Sequence, residues 1–261
     1  MSWFPRSRRR RGRAPAEGSE LPAHIALIRQ KALQGHVLEQ VQWGDILLSG
    51  RYQPRDPAGA RQWFAIAAGA GYAPAHNMLG RCHHFGWGCP KDLAQAAVSY
   101  ETAASLGDLW GCYNLGILAM RGLGIPRDLP RAFALFRSSA ERGHAKSMNL
   151  VGRFTEEGWC TARDPAAALS WYRCSAEGGD YRGQHNYATA LLAAGAHEEA
   201  LDWWSRAVED ATSDVLLAMD RVLHTLDGEQ ARHILVRVRA RLASMGITNP
   251  DQPAVTDRAC A

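Results

Sequence analysis

The chain has 261 residues, 46% of them apolar, with 30 basic and 26 acidic side chains. That composition suits a folded chain, and no run approaches the 18 or so apolar residues that a membrane span needs. The net charge of +4 is local: residues 1–20 carry Arg6, Arg8, Arg9, Arg10, Arg11 and Arg13 against Glu17 and Glu20, and beyond them basic and acidic residues cancel.

In chain order, residues 1–20 form a basic start with no apolar stretch behind it, so neither a secretory nor a twin-arginine signal is expected there. A solvated, disordered tail is expected there. The same arginines, with Trp3 and Phe4 ahead of them, could also touch nucleic acid or anionic lipid. Residues 21–38 are expected to hold a lone lead-in helix over about 22–34, since Ala32 and Gly35 stand one period before Ala68 and Gly71.

From there a 36-residue pattern recurs over 39–213, in about five copies. Each opens on a Leu-Gly-like pair: Trp43-Gly44, Leu79-Gly80, Leu115-Gly116, Val151-Gly152 and a weaker Tyr187-Ala188. Further glycines (Gly50, Gly86, Gly122, Gly158) precede Asp56, Asp92, Asp128 and Asp164, and Phe64, Tyr100, Phe136 and Tyr172 follow. Repetition at this period predicts stacked helical hairpins. In the third copy the first helix is expected over about 111–121, ended by Gly122, with Asp128 as N-cap of a second helix reaching about Glu141. The glycine inside each first helix, costing roughly 1 kcal/mol against Ala, predicts a neighbouring backbone too close for a Cβ. The connection in the fifth copy is four residues shorter. Residues 214–245 read as two capping helices, the last with Ile234, Leu235, Val238 and Leu242 on one face, and 246–261 as a loose end.

On each first helix the non-repeating positions i, i+4 and i+7 share a face: Val41/Asp45/Leu48, Asn77/Arg81/His84, Tyr113/Ile117/Met120, Asn149/Arg153/Glu156 and His185/Thr189/Leu192. With the repeated residues committed to the stack, partner specificity is expected on Asn77, Arg81, His84, Tyr113, Ile117, Met120, Asn149, Arg153 and Glu156. Tyr113, Ile117 and Met120 are apolar between Arg81 and Arg153, which reads either as a groove for an apolar anchor with arginines gripping carboxylates, or as a rung turned inward into the core.

The pattern resembles the Sel1-like repeat family, relatives of the tetratricopeptide repeats. The second copy carries that family's Ala75, Leu79, Gly80, Gly86, Gly88, Asp92, Ala96, Tyr100, Ala103, Ala104 and Gly107, departing from it at His83, Cys89, Gln95, Ser99 and Thr102. The likeness spans about residues 32–209. It implies an all-α fold, an α/α superhelical solenoid of 36-residue helical hairpins, and a non-catalytic adaptor that binds a protein or peptide on its concave face.

Cys82, His83, His84 and Cys89 invite a zinc reading, but in the family frame His83 and Cys89 stand at packed positions, and no second Cys/His cluster completes a ligand set; no metal or cofactor is expected. Some secreted relatives staple neighbouring helices with a Cys pair eight residues apart; here Ala104 faces Cys112 and Arg182 faces Cys174, so a reducing cytoplasm is expected. No lysine follows a glycine, and neither G-x-S-x-G nor H-E-x-x-H occurs, so no enzyme is expected. Three lysines against 27 arginines suggest a GC-rich bacterial genome.

Overall fold

The computed structural model describes residues 20–247. The Arg-rich segment and most of the expected loose end lie outside these residues. Among the described residues there are thirteen helices and no strand. A single helix α1 (Ala23–Leu33) leads into the hairpins α2 (Val37–Ser49) with α3 (Pro57–Gly69), and α4 (Ala73–Phe85) with α5 (Leu93–Ser105). Then come α6 (Leu109–Arg121), α7 (Leu129–Ala140), α8 (Ala145–Glu157) with α9 (Pro165–Glu177), and α10 (Tyr181–Ala193) with α11 (His197–Ala207). Last are α12 (Ser213–Leu223) and α13 (Glu229–Ser244). The result is an all-α repeat solenoid whose backbone forms two compact units, divided between Leu135 and Phe136.

The turn chemistry follows from the repeated residues. Gly50, Gly86, Gly122 and Gly158 end the first helices with φ between 66° and 74°, the left-handed region that a Cβ disfavours. Asp56, Asp92, Asp128 and Asp164 each accept a hydrogen bond from the amide three residues on, at 2.8–3.0 Å, and so cap the second helices. The arginine just before that Asp also has a task. Arg55, Arg127 and Arg163 donate from Nε to the carbonyls of Leu48, Met120 and Glu156, satisfying acceptors that the last turn of the first helix leaves open.

The helix-interior glycines differ from expectation. A Cβ on Gly44 would lie 2.5 Å from the Phe64 ring, one on Gly152 2.7 Å from the Tyr172 ring, and one on Gly80 would strike the Tyr100 ring. What excludes the methyl is therefore the aromatic side chain of the same hairpin, not a neighbouring backbone. Phe64, Tyr100 and Tyr172 are almost completely buried. Burying such a ring stabilises by about 1.5–3 kcal/mol, which offsets the roughly 1 kcal/mol propensity cost of the glycine.

Close backbone approach occurs elsewhere. A Cβ on Gly111 would sit 2.9 Å from the Ala104 nitrogen, and one on Gly183 3.0 Å from the Ala176 nitrogen. At these positions α6 crosses the end of α5, and α10 the end of α9. Asp108 and Asp180 cap the same turns, bonded to the Gly111 and Gly183 amides.

In the first unit, α1–α4 share one core built on Trp43, Leu47, Phe64 and Met78, and α5–α6 another on Tyr100, Leu115 and Leu118. In the second unit a core runs from Ala168 to Leu242 around Trp204, Leu216 and Met219. Ile234, Val238 and Leu242 of α13 are buried in it and Leu235 packs against it.

Candidate functional site

The expected surface residues fall in both units. In the first, α4 supplies Asn77, Arg81 and His84, and α6 supplies Tyr113, Ile117 and Met120. Asn77 is a correction, being only 7% exposed. Its Oδ1 accepts a 2.8 Å hydrogen bond from Asn114 Nδ2, so it ties α4 to α6 and is withdrawn from the surface.

Arg81 is half-buried, with its guanidinium 4.9 Å above the Trp87 ring and Nη1 3.5 Å from Met78 Sδ. The indole face fixes the planar cation while its N–H edge can still donate. Asp45, one period earlier, has its carboxyl raised by burial, and Arg81 pulls it the other way. His84 stacks on Phe85 at 4.5 Å, Phe85 stacks on Trp87 at 4.9 Å, and His84 Nδ1 lies 3.4 Å from the Tyr100 hydroxyl. Burial, aided by the charges of Lys91 and Arg81, lowers the His84 pKa, so the ring is neutral at pH 7.

On α6 the fully buried positions are Gly111, Cys112, Leu115, Gly116, Leu118 and Ala119. Tyr113, Ile117 and Met120 are half-buried beside them. Trp110, which the sequence pattern passed over, is 46% exposed and meets Tyr113 edge-on at 6.0 Å. Its signal was its spacing, three residues before Tyr113 on the same face.

The second unit repeats several of these devices. Asn149 is likewise a correction: it is 5% exposed and accepts a 2.8 Å bond from Asn186, joining α8 to α10. Arg153 and Glu156 are exposed. The Arg153 guanidinium lies 5.1 Å above Trp159, and Glu156 accepts a 2.7 Å bond from the Tyr172 hydroxyl. Two legible signals were missed here. A Trp stands six residues after each arginine, and Asn pairs recur two periods apart. Where the second-helix aromatic is Tyr100 or Tyr172, the residue sixteen before it is His84 or Glu156, able to meet the hydroxyl. Where it is Phe64, that residue is the buried Leu48.

In the Cys/His segment, Cys82 lies in the α1–α4 core and Cys89 packs against it. Cys82 is fully buried, and desolvation pushes its thiol up to about 12. Cys89 Sγ is 3.7 Å from His83 Nδ1. Among the described residues no three His, Cys, Asp or Glu side chains gather as a metal site would require.

The Sel1 repeat family matches residues 40–72, 73–108, 111–144 and 145–180. Comparison with curated proteins by sequence yields no match. Among solved structures, a Sel1 repeat protein from Oxalobacter formigenes is 22% identical with a TM-score of 0.71, over 83% of this chain and 92% of that one. A Sel1 repeat protein from Klebsiella pneumoniae is 18% identical (TM-score 0.51, 76% and 98% covered), and an immunity protein from Pseudomonas aeruginosa 14% identical (0.52, 87% and 84%). These likenesses establish the fold. With four family matches spanning more than half its length, the chain belongs to the Sel1 repeat family.

Proposed function

We propose that this chain is a non-catalytic scaffold that binds a partner protein or peptide through the exposed faces of its first helices. Sel1 repeat proteins are generally protein-interaction scaffolds, and their fold is typically non-enzymatic. The observation that carries the reading is the placement of Tyr113, Ile117 and Met120. They stand partly open on α6, next to the indole-backed Arg81 of α4, while the repeated residues fill the core. Arg153 and Glu156 offer a second, charged patch on α8.

We place the protein in a bacterial cytoplasm. The support is Cys82, Cys89, Cys160 and Cys174, which form no disulfide among the described residues, as a reducing compartment would keep them. The first test is affinity capture with the intact chain and with Ile117→Asp and Arg153→Glu variants that keep the wild-type melting curve. Loss of one captured species by either variant supports the reading; capture unaffected by both contradicts it. The charge concentrated in residues 1–20 supports a second reading, a nucleic-acid or anionic-membrane binder directed by that segment. Under it, deleting residues 1–16 removes salt-sensitive binding to DNA or to anionic vesicles.

A further inference from the structure

The part of α6 that its core leaves open runs the length of the helix. Trp110, Tyr113, Ile117 and Met120 follow at spacings of three, four and three, which sets them in a single stripe along roughly 15 Å of axis. Trp110 shows nearly half its surface, whereas Leu115 and Leu118 on the opposite side are 2% and 0% exposed. This is the footprint that receives an apolar helix face with side chains at i, i+3 or i+4, and i+7.

The flank toward α4 is cationic. Arg81 lies over Trp87, Lys91 is exposed, and both are near enough to His84 to disfavour its protonation. Among the described residues neither Arg81 nor Lys91 forms an ion pair within 4.0 Å. Among the described residues Asp45 forms no ion pair with Arg81, whose Nη1 contact with Met78 Sδ leaves other guanidinium N–H groups to donate. An indole-backed arginine with a free edge is set for bidentate contact with a carboxylate.

We propose that the α6 stripe seats the apolar face of an amphipathic partner helix whose acidic edge lies against Arg81 and Lys91. The proposal rests on the scaffold reading above and specifies the chemistry of the partner. Apolar burial on α6 supplies the attraction, and charge complementarity on the α4 side sets the orientation and discriminates against basic helices.

Three synthetic helices of about 16 residues test it by fluorescence anisotropy against the full chain. Each carries leucines at i, i+4 and i+7 and, along one edge, glutamates, glutamines or lysines. The glutamate helix is expected to bind roughly tenfold tighter than the glutamine helix, with the gap closing as salt rises. The lysine helix should bind weakest, and Arg81→Glu should reverse the order. Ile117→Asp should remove binding of all three, and Trp110→Ala, at a more exposed site, should weaken it with the melting curve unchanged.

Equal binding of the three helices, binding of none, or binding that survives both α6 substitutions overturns the proposal. So does self-association of the chain that Trp110→Ala breaks, since the stripe would then belong to a second copy. Should a captured partner photo-crosslink through Thr189 of α10 and not through Ile117, the scaffold reading stands and this proposal falls.

Discussion

At the scale of single residues, the fold turns on which positions tolerate a methyl group. Gly80 lies under the Tyr100 ring and Gly152 under the Tyr172 ring, so Ala at either place must displace an aromatic that fills the core. Helix propensity alone favours Ala by roughly 1 kcal/mol. We expect the clash to reverse that sign, so that Gly80→Ala and Gly152→Ala each destabilise by about 1–3 kcal/mol in urea denaturation. Adding Tyr100→Leu should recover part of the loss in Gly80→Ala, and Ala variants as stable as the wild type would refute this packing. The positions of these glycines were legible from the 36-residue period, but the object they face was not. Periodicity reveals that a site is crowded. It cannot distinguish a backbone from a ring twenty residues away in the same hairpin. Backbone approach occurs instead at Gly111 and Gly183, which recur only in alternate copies and so escaped the pattern, and at Gly88 and Gly124, whose left-handed turns lie against Pro57 and Leu93 of the preceding hairpin.

At the scale of helices, neighbouring hairpins are joined by partly buried polar pairs as well as by apolar packing. Asn114 donates to Asn77, and Asn186 to Asn149. Removing one amide leaves its partner's buried oxygen without that donor, a loss of about 1–3 kcal/mol. Asn186→Ala should therefore cost more than the Asn149→Ala/Asn186→Ala double variant costs beyond Asn149→Ala alone. Additive effects in the double-mutant cycle would deny the pairing. The capping Asp and Gly residues were fully readable from sequence because cap chemistry is local. The burial of Asn77 and Asn149 was not, because it depends on what the next hairpin places opposite.

Histidines add a pH term to the same elements. Burial lowers His144, near Lys146, and His185, near Arg182, to about 4. His185 Nδ1 accepts from Trp204 Nε1 at 3.2 Å, which requires the neutral ring. Below the ordinary histidine pKa near 6.5, the unfolded chain binds protons that the folded chain refuses. Stability should thus be intact above about pH 6.5 and fall as pH drops toward 4, by up to about 3 kcal/mol per histidine. His185→Gln should flatten the slope of urea-denaturation free energy over that range. A wild-type slope that is already flat there would contradict the burial argument.

At the scale of the whole chain, we propose that α12 and α13 cap the second unit. Their Leu216, Met219, Ile234 and Val238 cover the Trp204 region with buried apolar surface, and Arg237 reaches back to Ser205 and Glu209 of the preceding segment. A chain ending after residue 212 should expose that core, aggregate and lose cooperative melting; a soluble, cooperative truncation would remove the capping role. The all-α repeat class was readable from the sequence, since every copy restates it. The division into two units was not, because the repeat pattern passes through α7 without interruption.

The central claim, that the open face of α6 is where a partner binds, is tested most directly by replacing Ile117 with a photo-crosslinking residue in the native cell. Ile66, 52% exposed on α3, serves as the control position. The account predicts a discrete crosslinked partner from position 117 and none from position 66. Crosslinks from position 66 with none from 117 would contradict it.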